Sequence, residues 1–295
     1  MLEQASAETI QEKQVLDKGF IRLVDMMGDD GSIVQAARVS YGKGTKSVRE
    51  DRGLIRYLMR HRHTTPFEMV QTKWHVKCPM FVARQWMRHR ACSYNEYSLR
   101  YSEARDEFYF PEETRIQFQS RGNRQGSSDE AVPKDFQALF SGSLDEICKV
   151  AYACYAHLND LGLARELIRV FLPVNLYTEF YWSINLHNLL HFLHLRMDAH
   201  AQEEIRAYGF AIADLLKERV PATWEAFEDY ILTGKNFSSQ EWELLDTVID
   251  FERLKGLMES EKGNVLSKGE WREFLEKFGE KSQARDTSVS VPESS

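Results

Sequence analysis

Between Arg88 and Ser102 the chain reads Arg-His-Arg-Ala-Cys-Ser-Tyr-Asn-Glu-Tyr-Ser-Leu-Arg-Tyr-Ser. Three arginines (Arg88, Arg90, Arg100) and His89 are gathered around one carboxylate, Glu96, in a chain with a formal net charge of -7. Ser93, Ser98, Ser102 and Asn95 add hydroxyls and an amide, and Tyr94, Tyr97 and Tyr101 add aromatic faces. A packed core would not select these residues, because unpaired charges are costly to desolvate. A solvated loop has little use for three tyrosines. Dense donors, ring faces and a single acceptor suit a planar, anionic, hydrogen-bonding ligand such as a nucleotide. A pair of arginines can grip a phosphate through parallel N–H donors, whereas Glu96 suits an arginine or a sugar or base donor. The plainer reading is a solvated, charged helix end with aromatic packing. Cys92 lies inside the stretch, but no spacing rule makes it a nucleophile.

Three other groups could carry chemistry. His61-Arg62-His63-Thr64-Thr65-Pro66 reads either as a ligand-facing loop or as a polar helix exit with a proline turn. His187 and His191 stand at i, i+4, the spacing by which a helix chelates zinc, with His194, Asp198 and His200 nearby. No H-E-x-x-H accompanies them, and helix-surface or partner-facing histidines are the other reading. Arg169 and Arg196 either pair with Glu166 and Asp198 or meet a ligand. An arginine placed on an imide stabilises its deprotonated form, because a fixed cation lowers a neighbouring pKa. The sequence has no G-x-S-x-G, no G-x-G-x-x-G and no G-x-x-x-x-G-K-[ST]. That argues against a serine hydrolase with a nucleophile elbow, a Rossmann domain and a P-loop.

The elements that must position these residues follow from hydrophobic period and punctuation. Residues 1–14 read as a loose leader. Phe20 to Met27 reads as a strand, ended by Gly28-Asp29-Asp30-Gly31, with Ser32 capping a helix from Ile33 to Val39. Ser47 opens a second helix to about Arg60. Gln71 to Lys77 alternates as a half-buried strand. Pro79 starts a helix expected to run to about His89, with Phe81, Gln85 and Arg88 on one face. A short strand is expected over Glu107 to Pro111, and the Gly/Ser-rich segment 120–133 reads as a mobile insertion. A long helix follows over Asp135 to Leu161 and a shorter one over Ala164 to Leu172. Leu176 to Ile184 alternates as a strand, and helices are expected over Asn185 to Arg196, Ala201 to Arg219 and Pro221 to about Leu232. The tail shows two amphipathic segments, Gln240 to Met258 and Lys268 to Phe278, then a polar end expected to be disordered from Ser282.

Length and composition set the outer bounds. A chain of 295 residues makes one large or two ordinary domains. Hydrophobic residues at 43% and charged residues at 28% match a globular protein, and the acidic balance argues against a general nucleic-acid binder. No apolar run approaches the roughly 20 residues needed to span a bilayer. With no apolar core near the N-terminus to act as a signal peptide, a cytoplasmic location is expected. Cys78, Cys92, Cys148 and Cys154 form no C-x-x-C and read as free thiols. Two rival functions remain at this level: a nucleic-acid module using Arg88 to Arg105, and a zinc hydrolase using His187, His191 and Asp198.

Several motifs together resemble the flavin-dependent thymidylate synthases. They are Arg88-His89-Arg90 followed after seven residues by Ser98; Ala36-Ala37-Arg38-Val39-Ser40; His63-x-Thr65-Pro66-Phe67-Glu68; and Phe81-Val82-Ala83-Arg84-Gln85-Trp86. Leu172-Pro173-x-Asn175-Leu176-Tyr177-Thr178 and Leu195-Arg196-x-Asp198-x-His200-Ala201-Gln202 complete the set, in the family's order. The resemblance implies an α+β fold: a central sheet flanked by long helices, with one catalytic domain over residues 15–235 and a helical extension over 236–295. It implies an enzyme converting dUMP to dTMP, with methylenetetrahydrofolate as carbon donor. NADPH would reduce the bound FAD, and the reduced flavin would supply the hydride. It also implies a homotetramer with active sites shared between subunits, and no resident metal, nucleic acid or membrane.

Carried onto this chain, the resemblance assigns dUMP to Gln85, Trp86, Met87, Arg88, Glu96, Tyr97, Ser98, Leu99, Arg100, Arg169 and Arg196. It assigns FAD to Ser40, His63, Thr65, Arg88, His89, Arg90, Asn185, Leu186, His187 and His191. The resemblance makes Arg196 the expected catalytic residue, matching the arginine proposed to ionise N3 of the uracil. Ser98 takes a binding role, since an unassisted serine hydroxyl is a weak nucleophile. Histidine stands at 187 and 191, where arginine and asparagine are familiar in relatives.

Overall fold

Two alternating strands fix the centre of the molecule. β3 (Gln71–Pro79) buries Thr72, Trp74, Val76 and Cys78, and β5 (Tyr177–Asn185) buries Thr178, Phe180, Trp182 and Ile184. They pair antiparallel with Trp74 opposite Trp182 and Val76 opposite Phe180, so one face of the sheet is continuous aromatic and aliphatic surface. The computed structural model describes residues 11–39, 48–122, 126–128, 130–258, 260 and 265–286. Around the central pair stand β1 (Gln11–Val15), β2 (Gly19–Met27) and β4 (Ser93–Glu96), in the order β1-β2-β3-β5-β4, every neighbour antiparallel.

The apolar face is covered by α4 (Met80–Trp86), α7 (Leu186–Arg196) and α8 (Glu203–Lys217). Trp86 is the hub of this layer. Its rings lie 5.5 Å from Phe180, 5.2 Å from Trp182, 4.9 Å from Phe192 and 5.6 Å from Tyr208. Truncating so large a buried side chain to alanine typically costs about 3–5 kcal/mol. A second layer of α1 (Asp30–Arg38), α2 (Val48–Arg60), α3 (Thr65–Glu68) and α9 (Pro221–Phe227) packs beyond it. A smaller core of Ala104, Phe108, Cys148, Tyr155, Ile168 and Leu176 joins the long α5 (Lys134–Asp160) and short α6 (Arg165–Ile168) to the start of β5. The fold is α+β, with one antiparallel sheet and flanking helices, as the resemblance implied.

Gly19 shows how closely this layer sits on the sheet. A Cβ there would stand 2.0 Å from the Tyr208 Oη, which donates to the Lys77 carbonyl at 2.6 Å.

Several expected boundaries differ from the structure, each for a physical reason. Residues 11–15 are not leader but an edge strand. Their polar run is compatible with that because an edge facing solvent needs little apolar alternation, and only Val15 is buried. α1 is capped by Asp29, which accepts from the Ser32 N–H, while the Ser32 hydroxyl accepts from the Asp29 N–H; Ser32 is the third helical residue and not the cap. The helix after Pro79 stops at Trp86, so Arg88 lies beyond it and off the Gln85 face. Burying Trp86 turns the chain back toward β4, which sequence reading missed because its residues are polar and mostly exposed. Glu107 to Pro111 makes only one isolated bridge, Phe108 with Leu176. The expected helix over 164–172 shortens to α6 followed by a 3-10 turn, Arg169–Phe171. The helix opened at Ser47 is described from Val48. Part of the expected insertion, 123–125 and 129, lies outside the described residues.

The chain divides into two compact units, Met1–Gly234 and Lys235–Ser295. In the second, the expected helix over 240–258 is two, α10 (Ser239–Val248) and α11 (Phe251–Met258); the Asp250 side chain accepts from the Arg253 N–H between them. α12 (Lys268–Asp286) runs past Phe278, so 282–286 is helical and not disordered. Trp242, Phe251 and Phe274 all contact Phe278 in this unit, at ring separations of 4.9, 6.0 and 5.5 Å. The four cysteines are free. No described helix is long and apolar enough to cross a membrane.

Candidate functional site

The motif that opens with Arg88 divides between two places. Its first half turns off the end of α4 and lies against α7. Arg196, in the last turn of α7, donates through Nε to the Nε2 of His89 at 3.1 Å and through Nη2 to the Gln85 carbonyl at 3.3 Å. The Gln85 side-chain amide donates to the side-chain amide oxygen of Gln202. His89 is half-buried, with its ring 4.8 Å from Phe192 and 6.1 Å from His191. Burial first, then the Arg196 and His191 charges, push its pKa down to about 4. Burial lowers Arg196 as well, though a guanidinium stays charged at neutral pH.

The second half runs through β4 and out into a cleft of about 600 Å³. Glu96, Tyr97, Ser98 and Leu99 form one wall, Glu166 and Arg169 the other, and Leu176 to Thr178 the floor. The Thr178 hydroxyl donates to Glu96 at 2.7 Å, and Arg100 pairs with Glu166 at 3.0 Å. The Arg169 Nε donates to the Glu166 carbonyl at 3.2 Å. Tyr97 is pinned at both ends, by its N–H to the Glu179 carbonyl at 2.8 Å and by its hydroxyl to the Glu103 carbonyl at 2.6 Å. Leu99 packs on the smaller core. The cleft therefore offers the Arg169 guanidinium, two carboxylates and a serine hydroxyl over an apolar floor, with Arg100 reaching its edge through Glu166. That is a donor set for a phosphate-bearing polar ligand.

Glu96 pairs with Phe180 in the sheet, and none of Gln85, Arg88, His89 or Arg196 lines the cleft on which Glu96 opens.

The remaining expected residues cluster at the α7 end or fall outside. Asn185 caps α7, accepting from the Asn188 N–H at 2.9 Å. α3, opened by the exposed Thr65, packs on α7. His63 is exposed and contacts the rings of Tyr57 at 5.7 Å and His61 at 6.2 Å. Between them Arg62 sits at φ 56, a left-handed backbone that costs a non-glycine residue roughly 1 kcal/mol. Arg88 and Arg90 are exposed, and neither has a carboxylate partner among the described residues. Trp86 and Leu186 are fully buried, leaving only their backbones for a ligand, and Met87 is half-buried. His187 is half-buried and His191 exposed on α7. Burial, His194 and His187 lower the His191 pKa. Among the described residues no three His, Cys, Asp or Glu side chains are placed to hold a metal ion. Ser40 lies outside the described residues.

Sequence reading did not single out the residues that brace these groups. Gln202 holds Gln85. Tyr94 donates to the carbonyls of Trp86 and His89 at 3.1 and 2.9 Å, and the Cys92 thiol donates to the His89 carbonyl at 3.0 Å. Thr178 and Glu166 do the same work in the cleft. Gln202 and Thr178 stood inside quoted motifs, Tyr94 and Cys92 inside the opening stretch, and Glu166 was named as a partner for Arg169; nothing local marked their bracing contacts.

A family profile described as thymidylate synthase complementing protein matches residues 22–222. A flavin-dependent thymidylate synthase from Rickettsia typhi is 49% identical over 289 residues, covering 94% of this chain and 96% of that protein. One from Thermus thermophilus is 57% identical over 227 residues, covering 77% of this chain and 82% of that protein. Among solved structures, the UMP/dUMP methylase PolB from Streptomyces cacaoi, bound with 5-Br dUMP, superposes with a TM-score of 0.67 at 33% identity. It covers 76% of this chain and 100% of its own.

Proposed function

The chain belongs to the flavin-dependent thymidylate synthases, and from that premise we propose that the two halves of the motif come from different subunits to build one dUMP site. The enzyme methylates dUMP to dTMP with a flavin cofactor. The finer reading adds methylenetetrahydrofolate as carbon donor and NADPH as the reductant of FAD, in the cytoplasm, with residues 15–235 as the catalytic unit and 236–295 as an extension.

The observation that carries this reading is that the two groups do not line one pocket within a chain. Glu96, Ser98 and Arg169 line the cleft, whereas Gln85 and Arg196 meet between α4 and the last turn of α7, and none of Gln85, Arg88 or Arg196 lines the cleft. A second copy brings the missing half, and the surface is suited to it. α5 exposes Phe136, Leu139, Phe140, Ile147 and Val150 to between 46% and 68%. Val170, Phe171 and Val174 continue this apolar band beside the cleft. Contiguous apolar surface of this kind marks an interface between chains. We assign the assembly as a homotetramer.

Within such a site the phosphate is held by Arg88 from one subunit and by Arg100 and Arg169 from another. Ser98 and Glu96 orient the sugar and base. Arg196 places its remaining N–H donors on the uracil imide. The cation favours the N3 anion, which raises the electron density with which C5 attacks the one-carbon unit. Gln85 hydrogen-bonds the base beside it. Tyr94 and Trp86 keep this wall rigid.

The donor set at the α7 end also fits FAD. Arg88 and Arg90 are unpartnered cations among the described residues, and the N-terminus of α7 favours negative charge, as a diphosphate requires. The family resemblance adds His63, Thr65, His89, Asn185, the Leu186 backbone, His187 and His191 to this reading. When bound, the flavin supplies the hydride that completes the methyl group.

Reconstitution tests the reading. The purified protein should bind FAD, bleach with NADPH under anaerobic conditions, and form dTMP from dUMP and methylenetetrahydrofolate. Arg196→Ala should keep flavin and fold while losing dTMP formation by about 10²-fold or more. Undiminished turnover in that variant would contradict the role of Arg196.

A further inference from the structure

We propose that His89 is a positioning residue for Arg196: its Nε2 lone pair holds the Arg196 Nε–H, so that the outer edge of the guanidinium meets the uracil imide in one orientation. The proposal rests on the assignment of Arg196 to that imide, and it gives the central histidine of the motif a task distinct from contact with the flavin.

The geometry is specific. A guanidinium carries five N–H donors in a fixed plane. Nε is held by His89 at 3.1 Å and one Nη2 proton by the Gln85 carbonyl at 3.3 Å. Both bonds use the inner edge. The outer edge, made by the two Nη groups, has no acceptor among the described residues and matches the N3–carbonyl edge of an ionised imide. An imidazole nitrogen that accepts from a guanidinium carries no proton, so the ring proton of His89 sits on Nδ1 and the ring is neutral. Its setting enforces that state. Arg196 and His191 are the charged and titratable groups facing it, the ring packs on Phe192, and protonation would bring two cations into contact.

The histidine is itself fixed. Its N–H donates to the Trp86 carbonyl at 3.0 Å, and its own carbonyl accepts from Tyr94 at 2.9 Å and Cys92 at 3.0 Å. A chain of contacts thus runs from the Trp86 hub through His89 to the reacting edge of Arg196. A loosened guanidinium would still attract the nucleotide by charge. It would lose the fixed fork, and geometry of this kind is what bidentate recognition depends on.

Four variants of the full-length enzyme test this: His89→Gln, which keeps a side-chain acceptor; His89→Phe, which keeps the shape without one; His89→Lys, a polar donor only; and Arg196→Ala. Two quantities are read per bound flavin. One is turnover to dTMP. The other is the ultraviolet difference spectrum of bound 5-fluoro-dUMP, whose imide ionises more readily than that of dUMP and reports N3 deprotonation without any reaction. The proposal expects His89→Phe and His89→Lys to lower kcat and kcat/KM together by about tenfold or more, with the ionised spectrum lost. His89→Gln should stay within about threefold of wild type in both. If His89→Phe does not fold, the contrast between Lys and Gln decides. An ionised spectrum that persists in the Phe or Lys variant overturns the proposal, as does a Gln variant no better than they are. If Arg196→Ala abolishes ionisation while the His89 variants do not, this proposal alone falls. If Arg196→Ala leaves ionisation intact, the role of Arg196 falls with it.

Discussion

At the residue scale, charge state and hydrogen-bond direction decide what each group can do. His89 and Arg196 are adjacent bases, and only the weaker gives up its proton. Because burial and neighbouring cations lower the His89 pKa to about 4 from 6.5, the folded state binds this proton less readily than the unfolded chain. The sign follows from linkage: the stability it supports is complete above about pH 6.5 and is lost as pH falls toward 4. His191, also lowered, contributes in the same direction. Denaturation midpoints measured between pH 7 and 4 should therefore fall on acidification, and His89→Gln should flatten part of that fall. An equal slope in wild type and variant would show that His89 is not held neutral. Exposed Asp198, which accepts from the N–H and Nδ1 of His200 at 2.7 and 2.8 Å, has its pKa lowered chiefly by the backbone bond.

At the scale of elements, caps and packing do the positioning from a distance. Asp30, in the first turn of α1, accepts from the N–H groups of Ala222 and Thr223 at 2.8 and 3.0 Å and from the Thr223 hydroxyl at 2.6 Å. Those are the second and third residues of α9, whose own cap position is Val220, a side chain with no acceptor. Pro221 lacks an N–H, so Asp30 meets the helix's first available orphan donors. Asp30→Ala should cost about 1–2 kcal/mol in chemical denaturation while leaving kcat unchanged at a permissive temperature. A stability equal to wild type would contradict its capping role. The legibility of the elements follows the same logic. β3, β5, α5 and α7 were readable because alternation or helical period reports a buried face. β1 and β4 were not, since edge strands bury too little to leave a pattern. The stop at Trp86 was invisible because what ends that helix is the tertiary packing of the indole and not a glycine or proline. The candidate site was legible as residue types and motifs. Its division between the cleft and the α4–α7 contact was not, because nothing local encodes the pairing of Glu96 with Phe180 or of Arg196 with Gln85.

At the scale of the whole molecule, two features stand out. The first is the extension. Lys235–Ser295 forms its own compact unit, with Phe278 packed against Trp242, Phe251 and Phe274. A chain ending at Gly234 should keep FAD binding and dTMP formation; loss of either in a folded, correctly assembled truncation would assign the extension a part in the site. The second is the split site, on which the functional account depends. It is tested most directly by mixing two inactive variants, Arg196→Ala and Arg169→Ala, under conditions that let subunits exchange. Each disables a different half, and the mixture places an intact Arg196 half beside an intact Arg169 half in some of its sites. Random pairing at equal amounts predicts recovery of about a quarter of wild-type dTMP formation. A mixture of exchanged subunits that stays as inactive as its components would show that both halves must come from one chain, and would contradict the account.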